Sequence, residues 1–300
     1  MAFLKSVEGS FLMNERYAVD PDAPADWREL KQLLDLVGLQ SGRFLVSFPA
    51  DWSLFLQQRF ATASDMDRKR VVELLRRGRF SVLCDAGYKR HLDWAQNAVA
   101  AKTSLPNTFK EIIAATGNNL GLKTLKDVFY EEGNGWPSGV GDHVNMVASD
   151  YARCASPLFE LSAEITLVDR FFKLRSESGQ RDHRRINVLQ AFFKLAAVNR
   201  GFQCIRLVLE LPKDCNQSRY ELDLEKDIEY LLSGYPKADF SVEFDVRSSV
   251  GHGRYLFSIH GGLHFDHGFD EKQGQTNHVH WLSSAELKPL IDRYGYGSKL

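Results

Sequence analysis

The sequence predicts an α/β protein in two domains, and three observations predict it. Beyond residue 160, strand-like apolar runs alternate with amphipathic segments of helical length, the pattern of helices packed on a mixed sheet. At 300 residues the chain is longer than one hydrophobic core usually serves. A glycine-rich stretch at 131–143 (EEGNGWPSGVGDH) separates this regular half from a less regular one and reads as a loop or linker. The division is therefore set at 150/151. Residues 1–150 form an α/β or α+β domain, and residues 151–300 an α/β domain whose mixed sheet is flanked by helices.

Each element has its own warrant. Residues 20–26 (DPDAPAD) are a proline-punctuated turn leading into 27–37 (WRELKQLLDLV), a helix by apolar spacing with Gly38 as its stop. Residues 43–49 (RFLVSFP) read as a strand. Ser64-x-x-Asp67 caps a helix over 66–80 that Gly78 closes. Residues 80–84 (FSVLC) are short and apolar, a buried strand; 91–101 and 108–115 (TFKEIIAA) read as helices. A helix is expected at 144–155. Then come a strand at 164–168 (EITLV), a helix at 184–198 stopped by Gly201, and a continuous apolar strand at 204–211 (CIRLVLEL) of the kind buried on both faces. A second helix at 220–232 ends at Gly234 and Pro236. Strands at 240–246 (FSVEFDV) and 254–259 (RYLFSI) follow, with Gly261-Gly262 as a tight hairpin turn returning through 263–265.

Composition narrows the function classes. The chain is 44% hydrophobic and 26% charged, with 38 Lys plus Arg against 39 Asp plus Glu. That excludes a disordered or fibrous chain and a surface that is basic throughout, while leaving room for a local basic patch. Cys84, Cys154, Cys204 and Cys215 contain no C-x-x-C pair, so neither a disulfide scaffold nor a zinc ribbon is expected. No apolar run is long enough to span a membrane, and the opening residues lack a signal-peptide pattern. A reduced, soluble, cytoplasmic protein is expected.

Four groups of residues could carry chemistry. Arg68, Lys69, Arg70, Arg76, Arg77 and Arg79 form a basic stretch that could meet phosphates, but Val71, Val72, Leu74 and Leu75 at helical spacing favour reading it as the solvated side of a core helix. Together with residues 88–97 (YKRHLDWAQN) it is the expected partner surface of the first domain. The loop around Gly133–Gly141 matches neither G-x-G-x-x-G nor the P-loop spacing, so no nucleotide cofactor is expected. Most of the histidines cluster at His252, His260, His264, His267, His278 and His280, with Asp266 and Asp270 beside them. A metal could use His264-x-x-His267 or His278-Val-His280, but no metalloenzyme signature such as H-E-x-x-H is present, and no metal is expected. Last, His252-Gly253-Arg254 is an H-x-R triplet at the entry of a strand. Extended backbone sends residues i and i+2 to one face, pairing an imidazole with a phosphate-holding guanidinium.

Taken in order, these C-terminal segments resemble the phospholipase-D-like domain found at the C-terminus of MIT-domain proteins and in bacterial relatives, some of which lie near defence genes. The resemblance spans about residues 160–275. It rests on the strand ending in Asp169-Arg170-Phe171-Phe172, the following helix, strand and helix, the His252-Gly253-Arg254 triplet, and the glycine turn leading to His267-Gly268-Phe269-Asp270-Glu271. The family pattern has proline where Arg170 stands and aspartate where Gly253 stands. The resemblance implies a metal-independent phosphodiesterase, a nuclease of a bacterial defence system, with His252 attacking phosphorus, Arg254 clamping the phosphate and His264 or His267 donating a proton. Asp169 and Arg170, with Arg68, Arg70, Arg76 and Arg77, would bind substrate or phosphate. Active members use two such histidine motifs. The single triplet here would need a homodimer.

The other reading is a catalytically inactive subunit, since domains of the MIT type are generally non-catalytic. It would serve dimerisation, nucleic-acid or phosphate binding, or docking to a larger multi-subunit assembly.

Overall fold

The computed structural model describes residues 14–77, 81–83, 87–104, 109–116, 120–131, 141–176 and 178–295. The fold is mixed α/β, and the chain divides into two compact units between residues 140 and 141.

In the first unit, strands β1 (Glu15–Val19), β2 (Arg43–Ser47), β3 (Ser81–Leu83) and β4 (Glu111–Ile113) form a parallel sheet in the order β3-β2-β1-β4. Its helices are α1 (Trp27–Asp35), α2 (Trp52–Arg59), α3 (Asp65–Arg77), α4 (Trp94–Ser104) and α5 (Leu125–Glu131). Helix α1 starts where Asp26 accepts from the backbone N–H groups of Arg28 and Glu29, satisfying donors that have no partner inside the helix. The Ser64–Asp67 cap opens α3, with the Asp67 N–H donating to Ser64 Oγ at 3.2 Å. The helix expected at 108–115 is instead strand β4. Two adjacent β-branched residues, Ile112 and Ile113, are buried beside β1, and this pairing outweighs the helical spacing of the segment.

The second unit is built on a seven-stranded sheet in the order β5-β11-β10-β9-β6-β7-β8. Strands β6 (Glu164–Val168), β7 (Cys204–Glu210) and β8 (Ser241–Arg247) run parallel, joined through α7 (His183–Val198) and α8 (Gln217–Leu232). Strands β9 (Arg254–Ser258), β10 (Gly261–Phe265), β11 (Thr276–Trp281) and β5 (Gly141–Asn145) extend the sheet antiparallel to their neighbours. The segment expected to open a helix at 144 is thus largely the edge strand β5. Helix α6 (Ala148–Leu161) begins after it, and the unit begins at 141 rather than 151. Much of the expected glycine loop, residues 132–140, lies outside the described residues.

The hairpin between β9 and β10 turns at Ile259-His260, not at the glycine pair, since Gly261 already pairs with Ser258. Gly262 serves packing: a Cβ there would lie 2.5 Å from Phe257 Cβ and 2.9 Å from Leu282 Cδ1.

Two layers cover this sheet. On one face Tyr151 of α6 meets Phe265, Phe265 meets Phe269, and Phe269 meets Phe192 of α7, with centroids 4.5–6.1 Å apart. Such pairs contribute about 0.5–1.5 kcal/mol each beyond the area they bury. On the other face α9 (Ser284–Tyr294), opened by a Ser283–Glu286 capping box, packs Leu287 and Tyr294 against Val168, Val208 and Phe257.

Candidate functional site

The carboxyl ends of β6 and β7 and the start of β9 meet at one edge of the seven-stranded sheet, where open α/β sheets characteristically bind ligands. There the chain brings Asp169, Arg170, Glu210, His252 and Arg254 together. Arg170 Nη1 lies 2.9 Å from His252 Nε2 and 3.4 Å from Nδ1, while Nη2 donates to Glu210 Oε1 at 2.7 Å. A guanidinium has donors only, so the nearer ring nitrogen must accept, which assigns the lone pair of Nε2 to Arg170. Glu210 Oε2 accepts the Val250 N–H at 2.8 Å, tying the loop before β9 to the end of β7. That N–H, and next the neighbouring Arg170, hold the Glu210 carboxyl below its ordinary range.

Beside this chain lies a cavity of about 290 Å³ lined by Asp169, Phe171, Arg185, Arg254, Gly268, Asp270 and Lys272. Arg254 Nη1 donates to the carbonyl of Asp266 at 2.8 Å, and its Nε, 4.0 Å from Asp169 Oδ1, is buried without a hydrogen bond. Arg185 pairs with Asp182, and Lys272 lies 3.5 Å from Asp270. Phe171 is 45% exposed, with the guanidinium carbons of Arg170 and Arg254 at 5.1 and 5.3 Å from its ring centre. Asp169 is buried and accepts the N–H groups of Phe171 and Phe269; burial raises its carboxyl above the usual range, against those two hydrogen bonds and Arg254. It shapes the turn after β6 rather than offering a free charge to phosphate. The loop 266–270 is fastened by the fully buried Asn277, whose side chain accepts from His267 N and donates to His267 O and Tyr151 Oη.

The two expected proton donors are not in this cavity. In the β9–β10 register Arg254 faces Phe265 while Tyr255 faces His264, and consecutive residues alternate faces. His264 therefore stands on the opposite face of the sheet from Arg254. His267 is exposed on the loop after β10 and does not line the cavity. Gly253, at the position where the expected pattern carries aspartate, leaves room for Tyr255: a Cβ there would lie 2.1 Å from the Tyr255 hydroxyl oxygen.

On that opposite face, aligned β5, β11 and β10 bring histidines into rows. His264 pairs with His280 and His278 with His143, with ring centres 4.9 and 5.1 Å apart. Asp266 sits beside them, 3.4 Å from both His264 Nδ1 and His278 Nδ1. Although no metal was expected, His264, Asp266 and His280 each offer a ligand atom, all within 4.8 Å of one another. Burial, and next the neighbouring His280, lower the His264 pKa and so favour the neutral, ligand-competent ring.

The basic patch of the first unit is a mixed-charge surface. Arg68 pairs with Asp65 and donates to the Ala61 carbonyl; Arg70 pairs with Asp67 and lies 4.4 Å over the Trp27 ring. Arg76 borders a shallow groove shared with Asp65 and Glu73. The side chain of Arg77 lies outside the described residues, as does Arg79. Within 88–97, Trp94 is buried, and Asn97 bonds the backbone of Lys89, Leu92 and Asp93, so much of that stretch is structural.

Sequence reasoning did not single out Phe171, Arg185, Glu210 or Lys272. Phe171 and Glu210 follow directly from the expected strand ends, a signal that points to them. Arg185 and Lys272 come from α7 and a loop, and only the assembled fold brings them in.

No family model matches this chain, and no curated protein matches it in sequence. Among solved structures, TrmBL2, an archaeal chromatin protein described as showing a novel mode of DNA binding, is similar at 12% identity and a TM-score of 0.27. The match covers 51% of this chain and 49% of that one, so this chain spans about half the length of TrmBL2, a likeness too slight to support any inference.

Proposed function

We propose that the second unit is a non-catalytic, phospholipase-D-like domain that binds the phosphate of a phosphodiester ligand, with nucleic acid as the class. The observation that carries this reading is Arg254: it lines the cavity, yet its buried Nε has no hydrogen bond. A buried donor left unpaired costs about 1–3 kcal/mol, which a phosphate oxygen would recover. Arg185 and Lys272 add positive charge to the same cavity, and exposed Phe171 gives a base or sugar an apolar face, the combination used for single strands.

A second reading, metal-independent hydrolysis, is favoured by the exposed His252 at the same edge. In that chemistry imidazole nitrogen bonds to phosphorus as the ester oxygen departs, and another acid must protonate that oxygen. His252 is the single imidazole found in the Arg170–Glu210 chain, its nearer nitrogen is engaged by Arg170, and His264 stands across the sheet. Hydrolysis would therefore draw its acid from a second copy of the chain.

The deciding experiment measures anisotropy of a labelled single-stranded oligonucleotide and hydrolysis of bis-p-nitrophenyl phosphate, both in EDTA. Saturable binding without turnover supports the binding domain. Turnover that survives EDTA and vanishes in His252→Ala establishes the hydrolase instead. Neither binding nor turnover overturns both.

A further inference from the structure

We infer that His264, Asp266 and His280 hold a divalent transition-metal ion of the zinc class on the α9-bearing face of the seven-stranded sheet, with His278 or water completing the shell. This site is separate from the phosphate cavity, since the β9–β10 register sets His264 and Arg254 on opposite faces.

The argument begins with spacing. Ligand atoms bound at about 2.1 Å around a tetrahedral ion lie about 3.4 Å from one another. Asp266 Oδ1 is 3.4 Å from His264 Nδ1, and its Oδ2 is 3.4 Å from His278 Nδ1. That is long for a hydrogen bond and matches the edge of such a tetrahedron. The ligand atoms of His264, Asp266 and His280 all fall within 4.8 Å. Asp266, with its side chain 49% exposed, has room to rotate toward the two rings.

Unused valence is the second support. His264 Nδ1 and His280 Nδ1 are both buried and make no hydrogen bond. Two buried, unpaired ring nitrogens in one cluster are costly as they stand, and one cation would resolve them together. A carboxylate also stands behind His280: Glu286 Oε1 lies 4.0 Å from its Nε2, a charge contact rather than a hydrogen bond, on the far side of the ring from Nδ1, and the Ser283 cap holds that carboxylate in place. The backbone leaves room for the cluster, since a Cβ at Gly141 would lie 2.6 Å from His278 Nε2. Imidazole with a single carboxylate selects zinc, copper, nickel or cobalt over calcium or magnesium. Asp266 also links the two faces, because its carboxylate joins the cluster while its carbonyl holds Arg254.

The test uses the full chain, stripped with EDTA, dialysed, and titrated with Zn²⁺ by calorimetry and with Co²⁺ by visible absorption. One equivalent per chain is expected, with the d–d bands of a tetrahedral nitrogen/oxygen site. His264→Ala and His280→Ala should each weaken Zn²⁺ binding by more than the roughly 10–100-fold that an outer-shell loss costs, a range in which Glu286→Gln should fall. His267→Ala should bind as wild type does. Failure of the wild type to take up Zn²⁺ saturably overturns the site, as does undiminished binding by the His264→Ala/His280→Ala double variant. If the variants do not fold, X-ray absorption on the Zn²⁺-loaded wild type decides: an imidazole and oxygen shell supports the assignment, and sulfur or oxygen alone overturns it. Oligonucleotide binding is measured separately, so failure of the phosphate reading would not be mistaken for failure of this one.

Discussion

Replacing Arg254 by alanine tests the phosphate reading most directly. In the free protein one arm of this guanidinium is committed to the Asp266 carbonyl, and Nε is buried near Asp169 without a bond. Several of its five N–H donors remain uncommitted, and one charge-assisted hydrogen bond from them to a phosphate is worth about 1.5–3 kcal/mol. At about 1.4 kcal/mol per tenfold, the oligonucleotide should bind about 10- to 150-fold more weakly. The side chain is only 24% exposed, so solvent screening is modest and the upper part of that range is expected. A phosphate contact also leaves a salt signature: on a single strand the slope of log K against log salt should fall by about 0.7. The assay is anisotropy across a salt series, with thermal unfolding as the folding control. Arg254→Lys should recover part of the affinity by keeping charge without the planar fork. An Arg254→Ala protein that unfolds normally, binds within twofold of wild type and keeps the same salt slope would refute the reasoning.

Two other outcomes follow from the same unit. Asn277→Ala leaves the His267 N–H and carbonyl without their Asn277 partner, so urea unfolding should show a loss of about 2–4 kcal/mol and proteolysis should speed up at residues 266–275; a loss below about 0.5 kcal/mol would contradict the fastening role. Burial raises the Asp227 carboxyl, but hydrogen bonds from Arg175 and Arg181 outweigh it and hold the group below its ordinary range. Its contribution to stability is then full above the unfolded value of about 3.9 and is lost as pH falls through the lower folded value. Melting temperature followed from pH 7 to pH 3 should fall less steeply below about pH 4 in Asp227→Asn, and identical slopes would count against the ion pair.

The strand–helix–strand core from β6 to β8 was legible because its signals agree: β7 is apolar without interruption, and α7 carries a helical stripe with Asp182 as its cap. The first unit was less legible. In β4 only two isoleucines carry the strand signal, and in β1 the polar Glu15 and Arg16 precede the buried residues that pair with β2. The sequence pattern places the triplet at 252–254 at the entry of a strand and Asp169-Arg170 at the end of another, and the structure brings both to one sheet edge. The partner of His264 was not legible, because it depends on register. A turn at Gly261-Gly262 would set Ile259 opposite His264, and the turn at Ile259-His260 sets Tyr255 there instead, an even slip that leaves His264 on the face away from Arg254. The grouping of His264 with His280 depends likewise on pairing across the loop 266–275, which local spacing does not encode. What the sequence did offer was His278-Val-His280, two imidazoles on one face of a strand.

Strand β5 stands at the outer margin of the seven-stranded sheet although it is the first of those strands along the chain. Its neighbour β11 gives it pairing partners from Thr276 to His280. Cutting the polypeptide at 150/151 would therefore strip a strand from the second unit and bare a row of backbone donors and acceptors to other molecules, a template for sticky, misassembled fragments. Cutting just ahead of Gly141 keeps β11 paired with its native margin strand and retains His143 beside His278. For anyone isolating this half of the protein, the residues between those two points decide which strand, β5 or β11, forms the margin of the sheet.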